Sequence, residues 1–518
     1  MTLSKPRAAL ARTLVCALTA VSASAVAGNP PLDGLPDPGF GTAGRAIIDV
    51  TSQAAQGEYA VAIAQAPSGT LYVGGGGFNS GRFVIARLNP DGSRVTNFGT
   101  NGLARDRPSG DASLTFLLGD LKTAADGKPL ATGWAIGPDD SDVVLCRYNV
   151  AGNLDTSFGG DGCVRPELDL IANGSETAQA LAVLADGKFL IAGSIETPNF
   201  NNPGNSALLL RLNADGSVDQ GFGVNGLRTL TVDNGTTSAR SIALGSDGSI
   251  YLGGTFKPAS SPNDFERFVA KYTANGALVG GFGANGVAEI SFDDFDVNEE
   301  TLDYAGSLLV DAQDRIYDCG ASRSFNPGTL LVFSAARLTP QGQPDGSFGS
   351  GGRIYRTFND LYNVSYVNGC ALQGSKLVAA LHTGNTGPGS DFRLALMRLA
   401  EDGSGDPSFG AGGSIEYPID LGGNGIGHEF GVGVINQGEH LLVLGSASPN
   451  PSVADGPYSY AVVRALRDEV FRGGLGGGGG GPRLRVQALT RSHNSARVSR
   501  AITCSSSVAI TCTAMRLS

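Results

Sequence analysis

Short apolar runs of strand length recur along the chain, each broken by Gly, Pro, Asn or Asp. The first four are residues 44–50 (GRAIIDV), 59–66 (YAVAIAQA), 70–76 (TLYVGGG) and 83–88 (FVIARL). Each is rich in Val, Ile, Leu and Tyr and bounded by turn residues, the pattern of a β-strand. The second and third are joined by Pro67-Ser68-Gly69, and the matching places later carry Asp126-Gly127, Asp186-Gly187 and Asp247-Gly248. Such pairs supply the positive φ that a tight hairpin requires. The fourth run ends in Asn89-Pro90-Asp91-Gly92, echoed by Asn213-Ala214-Asp215-Gly216 and Thr339-Pro340-Gln341-Gly342. Apart from the N-terminal apolar run, no segment sustains a helical period.

A Phe-Gly pair, with a further Gly three or four residues after the Phe, sets the larger period. It recurs at Phe40, Phe98, Phe158, Phe222, Phe282, Phe348 and Phe409, at spacings of 58, 60, 64, 60, 66 and 61. Seven copies at so even a spacing mark one supersecondary unit, reiterated. Four antiparallel strands per unit predict an all-β chain, a seven-bladed β-propeller with four strands in each blade. A sandwich or a solenoid is the rival, but a solenoid carries atypical capping units at its ends. Here the ends read as ordinary parts of the repeat. The last regular run, 459–466 (SYAVVRAL), precedes no Phe-Gly turn, and the first, 44–50, follows one before any complete set. Strand 44–50 is therefore expected to complete the last blade and close the ring, removing two open sheet edges. Segments 178–184 (AQALAVL), 305–311 (AGSLLVD) and 430–436 (FGVGVIN) are rich in Ala and Gly, which suits innermost strands that converge on an axis.

Each third strand carries a basic residue at an equivalent place: Arg87, Arg147, Arg211, Lys271, Arg337, Arg398 and Arg464. Five Phe-Gly turns have Asp three residues before the Phe, at Asp37, Asp155, Asp219, Asp345 and Asp406, while Val95 and Val279 hold that place in the other two. A residue demanded once per blade serves the blade, so these cations are expected to brace the Phe-Gly turn. A ring binding an anion is the alternative. The Phe side chains are expected to plug the gaps between blades, where burying a large apolar group gains about 2 kcal/mol or more.

Composition alters the picture in three places. The chain has 518 residues, 77 of them Gly, with an ordinary share of aromatics, which argues for many turns in a folded protein. Lys5, Arg7 and Arg12 precede an apolar run, 13–21, too short to span a bilayer. Ala25-Val26-Ala27 follows it, so residues 1–27 read as a signal peptide cleaved after Ala27, and an exported protein is expected: secreted, periplasmic or cell-surface, without a transmembrane helix in the mature chain and monomeric. Residues 1–27 and 482–518 hold three and six basic residues and no acidic ones, which leaves 28 basic against 48 acidic residues in 28–481, a net of −20. Such a body excludes nucleic acid as a partner, because phosphate binding needs a basic footprint. The domains expected are the signal peptide, the propeller over 28–471, a Gly-rich linker over 472–481 and a basic, disordered tail over 482–518.

Candidate chemistry is sparse. Cys146 and Cys163 fall in hairpin partners of one blade and are the candidate disulfide after export. Cys319 and Cys370 fall in adjacent blades and pair only if their strand faces match. The four His, His382, His428, His440 and His493, form no H-E-x-x-H motif, and no G-x-S-x-G, phosphate loop or EF-hand is present. No catalytic residue, cofactor or metal ligand is therefore assigned, although His428, Glu429, His440 and His382 share neighbouring blades. Asp120, Arg240 and Asp311 break the apolar pattern of the innermost strands and are the positions at which a site would first be sought.

The unit Leu-Asp-x-x-Phe-Gly-x-x-Gly, then A-L-A-V-x-x-D-G-K-x-L-x-A-G, then A-R-L-N-x-D-G resembles the delta-60 repeat family of bacterial β-propellers. It is written most fully by residues 154–162 (LDTSFGGDG), 181–193 (LAVLADGKFLIAG) and 208–217 (LLLRLNADGS), and covers residues 32–466. The resemblance implies a propeller on exported or surface proteins and offers no catalytic residues to transfer. Proteins of this kind often end in a Gly-rich stretch, an apolar helix and an Arg cluster. This chain has the Gly stretch, 473–481, with no apolar helix after it. A non-enzymatic scaffold binding a protein or glycan is the leading expectation. A hydrolase or lyase with its site at the channel mouth, and a structural envelope component, are the alternatives.

Overall fold

The computed structural model describes residues 33–466 except 51–57, 78–79, 109–112, 169–173, 197–204, 261–263, 294–301, 325–329, 359–363, 386–391, 420, 422–427 and 449–457. The expected signal segment with its cleavage point after Ala27, the Gly-rich linker and the basic tail lie outside the described residues. Among the described residues, no helix is long and apolar enough to cross a membrane.

The described elements are strands. A first sheet orders β2 (Tyr59–Gln65), β3 (Leu71–Gly76), β4 (Phe83–Leu88) and β5 (Leu103–Asp106) in sequence, and a second does so with β6 (Thr115–Thr123), β7 (Pro129–Ile136), β8 (Ser141–Arg147) and β9 (Cys163–Val164). A third holds β10 (Ser175–Val183), β11 (Phe189–Glu196), β12 (Ser206–Leu212) and β13 (Leu227–Leu230), and a fourth β14 (Thr236–Leu244), β15 (Ile250–Lys257), β16 (Glu266–Tyr272) and β17 (Val287–Ile290). The quartets β18 (Leu302–Val310), β19 (Ile316–Ser324), β20 (Leu330–Leu338), β21 (Arg353–Arg356) and β22 (Val364–Gln373), β23 (Lys376–Gly384), β24 (Arg393–Leu399), β25 (Ser414–Tyr417) repeat the order. A single parallel pairing, Leu331 with Val364, joins these two quartets. The remaining sheet runs β26 (His428–Gln437), β27 (His440–Ser448), β28 (Ser459–Ala465) and then β1 (Arg45–Ile48). In it the N-terminal strand lies antiparallel to the last one, with Arg45, Ala46, Ile47 and Ile48 opposite Val463, Val462, Ala461 and Tyr460.

Burial is greatest in the second and third strands of each sheet and lower in the first and fourth, and residue choice follows it. The second strands β3 and β11 are buried on both faces and are largely continuous apolar or small-residue runs. Fourth strands are short and alternate, as in β1, where Ala46 and Ile48 point inward and Ile47 outward. Apolar clusters form between consecutive sheets. One joins Val73 and Val84 to Leu442, Leu444, Tyr460 and Val462, so the sheets nearest the two ends of the described chain share a core.

The Phe-Gly turns sit in these seams. All seven Phe side chains are essentially fully buried. A Cβ built on Gly92 would stand 2.7 Å from the Phe40 ring, and Gly152, Gly216, Gly276, Gly342 and Gly403 approach Phe98, Phe158, Phe222, Phe282 and Phe348 in the same way. Each ring therefore fills the space above a turn glycine of the following repeat. Phe409 meets Gly34, at 2.8 Å, and Gly34 has φ +95°, a backbone glycine favours. The amide of Gly34 donates to Leu466 O at 2.9 Å, and that of Asp37 to Arg464 O at 2.7 Å. The turn between the third and fourth strands of that sheet is thus assembled from both ends of the chain.

Candidate functional site

In each first strand the register with the second slips by one residue at the same place. The extra residues are Val61, Gly119, Gln179, Arg240, Gly306, Asn368 and Val432. A bulge of this kind adds twist and turns one side chain away from the ladder. All seven line one cavity of about 530 Å³, within the range of ligand sites. Neighbouring strands crowd at the bulges: a Cβ on Gly119 would fall 1.9 Å from Ala178 O, and one on Gly369 2.6 Å from Gly433 Cα. Small residues flank most of the bulges for that reason.

The charges in the cavity are unequally committed. Asp120 accepts from Lys122 Nζ at 2.7 Å, from the Leu121 amide at 2.7 Å and from the Leu181 amide of the next sheet at 2.9 Å. It is a fastening between sheets. Arg240 lines the same cavity, is exposed to it, and makes no hydrogen bond or ion pair among the described residues. Gln179 on the adjacent strand is likewise without a partner there, while Asn368 donates through Nδ2 to Gly431 O at 2.9 Å and keeps its amide oxygen available. Ser307 Oγ accepts from the Cys370 amide at 3.1 Å. Asp311 is elsewhere: it follows β18 in a turn, where it receives the Arg315 guanidinium at 2.6 Å and the amides of Gln313 and Arg315. Its role is to close that turn.

The basic residues of the third strands stand over the Phe-Gly turns. Arg147, Arg211, Arg337, Arg398 and Arg464 donate through Nε to Asp155, Asp219, Asp345, Asp406 and Asp37 at 2.7 to 3.0 Å. Their guanidinium carbons lie 4.5 to 4.9 Å above the rings of Phe158, Phe222, Phe348, Phe409 and Phe40. Several reach on to the next repeat, Arg211 to Ala274 O at 2.5 Å and Arg464 to Pro90 O at 3.0 Å, and Arg398 reaches Asp33. Where Val replaces the Asp, Arg87 donates to Val150 O at 2.7 Å, and Lys271 lies 5.0 Å over the Tyr251 ring. The Ser157 hydroxyl, followed by Lys128, holds the Asp155 carboxyl well below the usual carboxylate range. Six of these cations are hydrogen-bonded within the scaffold, and Lys271 faces a ring.

Cys146 and Cys163 are Cα partners in β8 and β9 and are joined as a disulfide. Cys319 and Cys370 are free thiols, buried in one core between adjacent sheets. Burial and the neighbouring Cys319 push the Cys370 thiol up. The two histidines whose side chains are described, His382 and His440, have separate partners. His382 is packed among Tyr366, Phe392 and Phe430, and burial lowers its pKa to about 4. His440 faces Asp37 at 3.9 Å. The side chain of His428, and all of His493, lie outside what the structure describes.

Two clusters have no counterpart among the expected sites. Arg267 and Asp318 form a wholly buried ion pair at 3.0 Å between neighbouring sheets, with the Phe292 ring 4.5 Å from the guanidinium. Burial pushes Asp318 up to about 6. Asp264, Glu266 and Asp293 bring one carboxylate oxygen each within 4.8 Å of one another. Burial, then repulsion from Asp303, Asp293 and Asp264, pushes Glu266 up to about 9. That crowding of charge favours a proton on Glu266. The acids at 264 and 266 are two apart in sequence, but nothing local points to 293 as their neighbour.

Residues 66–98, 124–158 and 184–222 match a family described as a domain of unknown function (DUF5122) β-propeller. The fold is a β-propeller built from repeats. No curated protein matches the chain in sequence. Among solved structures, a PL25 ulvan lyase bound to -[GlcA(1-4)Rha3S]- is similar at 10% identity and TM-score 0.43, over 83% of this chain and 94% of that one. A protein of unknown function from Dyadobacter fermentans is similar at 12% identity and TM-score 0.40, over 83% and 100%. YCF48 bound to D1 peptide is similar at 9% identity and TM-score 0.38, over 81% and 98%. Likenesses this distant transfer no residue and no activity.

Proposed function

We propose that this chain is an exported, closed seven-bladed propeller of the delta-60 repeat kind that acts as a non-enzymatic scaffold, binding a glycan or protein ligand at its axial cavity. The closed ring is supported by seven inter-sheet cores among the described residues, one of which unites the first sheet with the last. The N-terminal strand then supplies the outer edge of the seventh blade, and the Cys146–Cys163 bridge forms in the oxidising compartment reached by export.

One observation carries the functional reading. The Phe-Gly position is the same in every repeat, but the seven equivalent bulges hold Val, Gly, Gln, Arg, Gly, Asn and Val. Positions that serve the blade repeat, and those facing the cavity diverge. Catalysis by acid and base needs two poised groups, and the cavity's carboxylate, Asp120, is already engaged by Lys122 and two amides. The arrangement therefore favours recognition over turnover.

The test uses the full chain against a panel of soluble glycans and peptides, with product analysis in parallel. A Cβ on Gly433, which lines the cavity, would meet nothing within 4 Å, so Gly433→Phe blocks the cavity with little strain elsewhere. Saturable binding without product, lost in Gly433→Phe at unchanged melting temperature, is expected. Product release from any glycan, or binding indifferent to Gly433→Phe, would overturn the reading.

A further inference from the structure

Four consecutive first strands present Gln179, Arg240, Gly306 and Asn368 at their bulges, so the polar side chains gather on one arc of the cavity, while Val61 and Val432 hold the other side. We infer that this arc is a binding site for a small hydroxylated carboxylate of the sugar-acid type, its carboxylate on Arg240 and its hydroxyls on Gln179 and Asn368. The inference rests on the scaffold reading above and names its ligand.

Three features narrow the chemistry. Arg240 is a planar fork of donors with no internal partner, which suits a carboxylate held by two parallel bonds. Five of the seven repeat cations bond the Asp of their turns, Arg87 donates to Val150 O, Lys271 lies over the Tyr251 ring, and none of the seven lines the cavity; Lys122 is committed to Asp120, so the cavity offers one free positive group among the described residues. That group stands in a body of net charge −20, which repels a polyanionic chain and tolerates a single negative charge. For a zwitterion such as an amino acid, the ammonium would find only neutral amide oxygens here, because the lining carboxylate, Asp120, already receives Lys122 and two amides. Amide side chains both give and accept hydrogen bonds, as a hydroxyl does, so Gln179 and the free oxygen of Asn368 match hydroxyls beside the acid. The Val61 and Val432 side supplies an apolar wall for the face of a sugar ring.

Calorimetric titration of the full chain with methyl glucuronide, methyl glucoside, the glucoside 6-sulfate and a short glutamate-rich peptide tests this. Binding of the glucuronide, with the neutral glucoside at least about 10-fold weaker, is expected. Arg240→Ala should weaken the glucuronide by about 10- to 100-fold, the worth of a charge-assisted pair, Arg240→Lys should recover part of that, and Gln179→Ala should cost less. Melting temperatures of the variants verify that the fold is kept. Equal binding of glucoside and glucuronide, preference for the sulfate or the peptide, no binding of glucuronide, or an Arg240→Ala protein that binds as before would each overturn the inference. If another glycan still binds and is lost in Gly433→Phe, the scaffold reading survives that failure. If an aryl glucuronide, with its single negative charge, binds through Arg240 and is cleaved, the site survives and the non-enzymatic reading falls.

Discussion

Replacing Phe40 by Ala measures how firmly the two ends of the chain are joined. Phe40 precedes β1, yet its ring is fully buried beneath Arg464, 4.9 Å from the guanidinium, and against Gly92 of the following repeat. Truncating a buried Phe costs about 3–5 kcal/mol in lost transfer and cavity formation. The cation over the ring contributes about 0.5–1 kcal/mol at a partly exposed site. The Asp37–Arg464 pair survives the change, so a loss of about 4 kcal/mol is expected. Phe222, in mid-chain, has the same surroundings: Arg211 at 4.5 Å and Gly276 beneath it. In a closed ring the two variants should lose the same stability to within about 1 kcal/mol, the scatter expected of matched core sites. Urea denaturation followed by fluorescence reports this, because the chain's one tryptophan, Trp134, lies in the second sheet, away from both substitutions. The Trp134 transition should move to lower urea by similar amounts in both proteins and coincide with that seen by circular dichroism. If Phe222→Ala shifts the midpoint and Phe40→Ala does not, the N-terminal segment is an appendage and the ring is not closed by it.

Other consequences follow from the same contacts. Ala46 and Val462 are opposed in β1 and β28, so Ala46→Cys with Val462→Cys should form a bridge under mild oxidation, seen as a reducible mobility shift on a gel; unchanged mobility would place the strands apart. The folded Glu266 titrates at about 9 against 4.5 for the free group, so its contribution is complete at acid pH and is lost as pH climbs toward about 9; melting temperature should fall over that window, and Glu266→Gln should flatten the fall. A Glu266→Gln curve parallel to that of the native protein would disprove this. Removing one partner of the buried Arg267–Asp318 pair should cost about 3–5 kcal/mol, so Arg267→Met should lower the melting temperature more than Arg315→Met, whose ion pairs are partly exposed; equal losses would show that burial of the pair is immaterial.

The parts of the fold that are legible in the sequence are those that recur. Phe-Gly, the Asp-Gly turns and the third-strand cations are each demanded by the same contacts in every repeat, so their spacing along the chain is enough to expose the unit. The expected segment 44–50 and the observed β1, Arg45–Ile48, differ only at the frayed ends. The bulges are harder to read, because a one-residue slip leaves composition and hydrophobic alternation nearly unchanged. A trace is present: Ala60-Val61-Ala62, Ala178-Gln179-Ala180, Ala239-Arg240-Ser241 and Ala305-Gly306-Ser307 share a small residue on each side of a variable one. Its cause is the close approach of neighbouring first strands. The Arg267–Asp318 pair and the carboxylates of 264, 266 and 293 leave no such trace, since they meet only through packing of separate strands and adjacent sheets.

Asp120, Arg240 and Asp311 stand out together as polar breaks in apolar strands, and the structure separates them by what each already binds. Asp311 ties its own turn and Asp120 ties two sheets, so both are explained by the fold alone. Arg240 is not. Its neighbours in the cavity lining are residues whose identity the repeat leaves free, and no internal acid answers its charge among the described residues. The cations that recur once per repeat are held by turns, carbonyls or rings away from the cavity, so an uncommitted guanidinium facing the cavity has a physical use chiefly when an anion arrives from outside. Among the described residues, that asymmetry between the cations held by the scaffold and the one left free in the cavity, more than the propeller architecture itself, marks the cavity as the place for a ligand.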